Sequence, residues 1–191
     1  MPTTILETAL RKVETTDVPQ VRKLALAFAG GLDSTLCALL ATRKYGAEEI
    51  VPLLVNIGQG ADEVRVAREK AAALGLTLTV LDVQDEFSGI WLKKAIRANV
   101  DYNGYPCSTS LARQLISAVV AQKAVELGCD ALMEGSTGKG NDQFRMHNVF
   151  ALFAPGMPHL VPVRDFDLTR QEEAALCAHW GVPGTESLIG G

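Results

Sequence analysis

Ala27-Phe28-Ala29-Gly30-Gly31-Leu32-Asp33-Ser34-Thr35 is the stretch on which the fold turns. It follows the apolar run Leu24-Ala25-Leu26-Ala27-Phe28, which has the pattern of a buried strand. It precedes Leu36-Cys37-Ala38-Leu39-Leu40-Ala41, which has the pattern of an apolar helix. The order is therefore strand, glycine turn, helix. Two adjacent glycines let the backbone adopt positive φ and approach a ligand closely. The helix start offers N–H groups without intrahelical partners and the positive end of a dipole, which suits a phosphate. Ser34 and Thr35 add hydroxyls, and Asp33 suits either a helix cap or a metal carried on phosphate.

Outward from this turn, strands and helices alternate. A helix is expected at 5–13, a strand at 23–28 and a helix at 33–44. A second strand at 50–55 leads through the loop 56–60 to a helix at 61–74. A third strand at 76–83 is followed by helices at 85–100 and 108–127, then a short strand at 131–133. The polar loop 134–143 comes next, a fifth strand is expected at 160–163, and a last helix ends at Trp180, with Asp167 or Thr169 as its N-cap. Such alternation predicts an α/β fold: a Rossmann-like parallel sheet with helices on both faces. The strands are near-continuous apolar runs, as a sheet covered on both faces requires. In such sheets ligands bind beyond the carboxyl ends of the strands. The loops 29–35, 56–60 and 134–143 all fall on that edge.

With 191 residues and 48% hydrophobic content, the chain suits one domain with an ample core. The net charge of −4 supplies no basic footprint for nucleic acid. No apolar run is long enough to span a membrane, and residues 1–16 lack the apolar core of a signal peptide, so a cytoplasmic protein is expected. The four cysteines lie far apart with no CxxC pair, which argues against zinc. Cys37, Cys129 and Cys177 read as buried thiols, and the three histidines follow no ligand spacing.

Two further segments carry chemistry. In Gly135-Ser136-Thr137-Gly138-Lys139-Gly140-Asn141-Asp142-Gln143-Phe144-Arg145, three glycines free the backbone to wrap a ligand. Lys139 offers a point charge for phosphate, and Arg145 a fork for a carboxylate. Asn141 and Asp142 suit an amino group. In Tyr105-Pro106-Cys107-Ser108-Thr109-Ser110-Leu111-Ala112-Arg113, three hydroxyls sit at a helix start, where a carboxylate is welcome. Neither Walker A nor GxGxxG occurs at the first turn.

The first loop resembles the SGGxDS pyrophosphate loop of ATP pyrophosphatases, with Ala29 in place of the serine. Taken together, the three motifs and Asp167-Leu168-Thr169-Arg170-Gln171-Glu172-Glu173 resemble the argininosuccinate synthase family from about residue 23 to about residue 182. The resemblance implies an N-terminal extension at 1–22, a nucleotide-binding domain of the adenine-nucleotide α-hydrolase fold at 23–183 and a tail at 184–191. It implies an ATP site of Ala27, Phe28, Ala29, Gly30, Gly31, Leu32, Asp33, Ser34 and Thr35, with Val55, Gly135 and Gly138. It implies an aspartate-like substrate on Thr137, Asn141 and Asp142, and a citrulline-like one on Tyr105, Ser110, Asn141 and Arg145. Asp33, Lys139 and Asp142 are the expected catalytic residues. Mg2+ is expected on the phosphates, with no direct protein ligand. In the family, ATP adenylates a ureido oxygen, pyrophosphate leaves, and the amine of aspartate displaces AMP. Positioning and charge neutralisation suffice for that chemistry.

Several positions depart from the family pattern. Ala29 removes a hydroxyl whose loss costs roughly 1–3 kcal/mol if it served a charged oxygen. Glu134 sits where a histidine is common and places a negative charge beside the phosphate region. Ser108, Cys107 and Gln114 replace a glycine, an apolar residue and a proline. Family members continue into a second half, which implies either a smaller acceptor or a second chain or homo-oligomer that completes the citrulline pocket. Two other functions compete: a sulfurtransferase using Cys107, and a non-catalytic nucleotide-binding protein. Gly190-Gly191 has the form of a sulfur-carrier tail, but on an unrelated kind of domain.

Overall fold

The computed structural model describes residues 3–182. Its centre is a five-stranded sheet in the order β3-β2-β1-β4-β5, with β1 at Lys23–Ala27, β2 at Glu49–Asn56, β3 at Thr79–Asp82, β4 at Ala131–Met133 and β5 at His159–Leu160. Every pairing is parallel; Leu24 lies opposite Ile50 on one side and Ala131 on the other. The all-parallel sheet predicted from the alternation is what forms.

Side chains alternate between the two faces along each strand. Leu24 and Leu26 of β1, Leu54 of β2 and Met133 of β4 join one core. Its cover comes from α1 (Ile5–Thr15), α2 (Leu32–Arg43), α3 (Ala61–Ala73) and α9 (Arg170–His179). Ala25, Leu53, Val55 and Leu132 join the other, under α6 (Ser108–Glu126) and α7 (Asp142–Phe153). Two covered faces explain why the strands carry no polar alternation. Before β1, the amphipathic α1 buries Ala9 and Val13 and packs against α9.

The elements differ from expectation in four places. The segment 85–100 is α4 (Gln84–Glu86), a π-helical turn Phe87–Leu92 and α5 (Lys93–Arg97). The wider turn carries Phe87 onto Ala112 and Leu115 of α6. After Leu160 the chain does not stay extended but forms α8 (Pro162–Asp165). Pro162 has no N–H for a ladder and a φ suited to a helix start, and the Val161 N–H donates to Asp165 Oδ2 at 3.2 Å instead. The sequence reading has no counterpart for α7, because its first turn, Asp142-Gln143, belongs to the polar motif. Its apolar residues Met146, Val149 and Phe150 nevertheless recur at helical spacing. Finally, α2 begins at Leu32 with Gly31 in the N-cap position, so Asp33 lies in the first turn and is not the cap. Thr169, not Asp167, caps α9, in a capping box with Glu172.

Candidate active site

Strand β1 leads to β2 and β3 on one side, while β4 and β5 lie on the other. The loops after β1 and β4 therefore diverge at the sheet's switch point, where open α/β sheets bind ligands. A cavity of about 540 Å3 opens there, within the range of a nucleotide-sized site. The three loops expected on one edge all contribute: Ala29 and Gly31 after β1, Ile57 and Gln59 after β2, Gly135 and Thr137 after β4.

The β1 wall is held by backbone. Gly30 has φ +74°, and a Cβ there would stand 3.0 Å from Ala67 Cα of α3. Only glycine fits both restraints. Lys70 of α3 donates to the Gly30 carbonyl at 2.7 Å, and burial lowers its pKa. Gly31 is open: a Cβ there meets nothing within 4 Å. Helix geometry leaves the N–H groups of Leu32, Asp33 and Ser34 without intrahelical partners. Amides left open in this way suit an anion such as phosphate. Beside them, Asp33 pairs with Arg170 from the first turn of α9. Glu173, one turn on and 1% exposed, hydrogen-bonds Asp33. Burial, and then the Asp33 charge, push its carboxyl up to about 8.

The β4 wall is held by side chains. Gly135 passes so close to α2 that a Cβ would lie 2.7 Å from Asp33 Cβ, which is why the two walls meet. Glu134 is buried; its Oε2 accepts from the Ser136 N–H at 2.6 Å and from the Ser136 hydroxyl. Its Oε1 faces His159 Nε2 at 3.3 Å, and His159 stacks on His147. The Glu134 carboxylate is thus hydrogen-bonded within its own loop through Oε2 while it lines the cavity. Further out, Asp142 accepts from Arg113 Nε at 2.9 Å and from Arg145 at 2.9 Å.

Comparison with known proteins agrees with this geometry. The family model described as "Arginosuccinate synthase N-terminal HUP domain" matches residues 23–183. The chain is 42% identical over 163 residues to argininosuccinate synthase of Methanocaldococcus jannaschii, covering 85% of this chain and 41% of that protein. It is 41% identical over 160 residues to the Haloarcula marismortui enzyme of the same name, covering 84% and 37%. The chain belongs to the argininosuccinate synthase family. It spans 37% to 41% of the length of these relatives. The fold is also that of more distant proteins. One is the NH3-dependent NAD synthetase of Campylobacter jejuni, with TM-score 0.59 and 19% identity over 97% of this chain and 73% of that one. Another is the U34-tRNA thiolase of Methanococcus maripaludis, with TM-score 0.61 and 18% identity over 94% and 65%.

The residues that the family resemblance singles out divide into two sets. Ala27, Phe28, Ala29, Gly31, Leu32, Asp33, Ser34, Val55, Gly135, Thr137 and Asp142 line the cavity. Gly30 turns away from it against Ala67, and Thr35 is buried, its hydroxyl without a hydrogen-bond partner. Gly138, Lys139, Asn141, Arg145, Tyr105 and Ser110 stand outside the lining. Of these, Tyr105 is exposed and donates from its hydroxyl to Thr109 at 3.1 Å. Cys107 also stands outside, at φ +33° before α6. The other three cysteines are buried, as predicted, and burial pushes their thiols up. Arg113 and Arg170 line the cavity without having been assigned a role. Each sits in a quoted motif, but only tertiary contact shows where its side chain goes. Among the described residues, no cluster of three or more His, Cys, Asp or Glu side chains suits a metal, and no helix is long and apolar enough to cross a membrane. The tail that includes Gly190-Gly191 lies outside the described residues.

Proposed function

We propose that this chain is the nucleotide-binding part of an AMP- and pyrophosphate-forming ligase of the argininosuccinate synthase kind. The carrying observation is that the family's loops after β1, β2 and β4 converge on one cavity at the switch point of the sheet. ATP lies along β1, with its phosphates on the N–H groups of 31–34 and its adenine toward Val55 and Gly135. The open space at Gly31, where a Cβ would meet nothing within 4 Å, fits that cargo. Mg2+ rides on the phosphates and supplies countercharge, with the Asp33 carboxylate beside them.

The acceptor, a ureido or carboxyl compound, places an oxygen in line with the α-phosphate. That oxygen bonds to phosphorus as the bond to pyrophosphate breaks. An amine such as aspartate then adds to the activated carbon, and AMP leaves. Thr137, Asn141 and Asp142 serve the amine donor, and Tyr105, Ser110 and Arg145 the acceptor. Several of these lie outside the cavity, so in this reading a second chain or second copy covers the acceptor side. Cys107 stands apart from the cavity, and the sulfurtransferase reading gains no support from it. The test is pyrophosphate release with ATP and Mg2+ across paired amines and acceptors, with citrulline and aspartate as the first pair. Release that needs both partners supports the ligase. ATP binding without release under any pair leaves only a nucleotide-binding protein.

A further inference from the structure

Arg170 is the first residue of α9, and that turn is anchored on its far side. The Thr169 N–H donates to Glu172 Oε2 at 2.7 Å, and the Glu172 N–H donates to Thr169 Oγ1 at 3.3 Å. Lys12 of α1 holds Glu172 from behind at 2.9 Å. The fold therefore sets where the Arg170 side chain starts, and from there the guanidinium reaches Asp33 across 137 residues of chain.

Charge around the cavity is unevenly spread. Among the described residues that line it, the cations are Arg113 and Arg170 and the carboxylates are Asp33, Glu134 and Asp142. Arg113 is engaged by Asp142 on the β4 side. Lys70 sits behind the glycine loop on the Gly30 carbonyl, and Lys139 is exposed outside the lining. Arg170 is thus the guanidinium that stands inside the cavity next to the phosphate cradle. Its partner is a carboxylate on the very turn whose open amides suit an anion. The side chains of this pair are 44% and 33% exposed. An ion pair that open to water is weak, and a guanidinium fork matches phosphate as well as carboxylate.

We infer that Arg170 is the phosphate-binding arginine of this site, exchanging the Asp33 carboxylate for β- and γ-phosphate oxygens when a nucleoside triphosphate seats on the loop. The inference rests on the nucleotide-binding reading above and adds a residue to it. Asp33 is not left without a partner by the exchange, because Glu173 holds it from the buried side. The same guanidinium then faces pyrophosphate as it departs and has no such partner in AMP.

Calorimetric titration of the full chain with ATP plus Mg2+, with inorganic pyrophosphate and with AMP tests this. Arg170→Ala is expected to weaken ATP and pyrophosphate about ten- to a hundredfold and to leave AMP within about twofold, while Arg170→Lys recovers part of the loss. If the alanine variant does not fold, Arg170→Gln carries the same comparison. Unchanged ATP binding in the variant overturns the inference and leaves the nucleotide reading intact. Equal losses of ATP and AMP also overturn it, and mark Arg170 as a support of the loop alone. Wild-type protein that binds none of the three overturns both.

Discussion

Two of the loops that form the cavity, those after β1 and β4, follow neighbouring strands, yet they are held in different ways. The turn after β1 is held by its own backbone: a left-handed glycine against Ala67, a carbonyl on Lys70 and a helix start that leaves amides open. The loop after β4 is held by side-chain contacts: Glu134 accepts from Ser136 and faces His159, and Asp142 pairs with Arg113 and Arg145. In the proposed function, backbone restraint gives a phosphate cradle that is complete before binding, and side-chain restraint gives a surface whose charges trade partners when a zwitterionic substrate arrives. The first loop should therefore fail in stability and in nucleotide affinity, and the second in substrate selection.

Gly30→Val is the hardest test of that contrast. A β-branched residue would have to take φ +74° with its Cβ 3.0 Å from backbone, which costs about 2–5 kcal/mol when strain and overpacking are combined. Gly31→Ala, where the space is open, should leave the urea midpoint nearly unchanged. Equal midpoints for the two variants would show that the turn is not restrained by its backbone.

On the other wall, Asp142→Ala leaves two guanidiniums without their shared carboxylate. The KM for the amine donor should rise about ten- to a hundredfold, the worth of one charged hydrogen bond of about 1.5–3 kcal/mol, while the dissociation constant for ATP stays within about twofold. Steady-state kinetics beside an ATP titration separates the two quantities. A variant that loses ATP and keeps its amine dependence would reverse the roles assigned to the two loops.

The smallest effect concerns pH. In the folded protein the Glu173 carboxyl, pushed up to about 8 by burial and then by Asp33, keeps a proton that the unfolded chain releases near 4.5. Between those values the native state binds more protons than the unfolded state, so stability falls as pH rises. The contribution is whole below about pH 4.5 and is lost as pH climbs through about 8, with a limiting slope of roughly 1.4 kcal/mol per pH unit. Glu173→Gln keeps a neutral amide in place of the acid and should flatten that part of the stability profile.

Much of the fold was legible because its causes are local. Leu24 to Phe28 and Ile50 to Val55 are apolar without interruption, and glycines end the helices between strands. That pattern admits few arrangements besides a parallel sheet covered on both faces. What escaped had competing local signals. Leu160-Val161-Pro162-Val163 looks extended until Pro162 turns it, and α7 begins inside a motif whose glycines and polar residues read as loop. The π-helical turn at Phe87–Leu92 follows from where Phe87 finds Ala112 and Leu115, residues more than twenty positions away.

The candidate site divides along the same line. Sequence by itself determined the order of elements, the three loops on one sheet edge and the glycines that give the turn after β1 its conformation, because dihedral freedom and apolar periodicity belong to neighbouring residues. Tertiary structure alone decided that Gly135 lies against Asp33, that Glu134 turns inward to Ser136 and His159, and that Arg113 and Arg170 reach the cavity. Those outcomes depend on where strands pair and how far a long side chain extends from a packed helix. Charges brought together across 137 residues of chain leave no periodic trace in the sequence that brings them there.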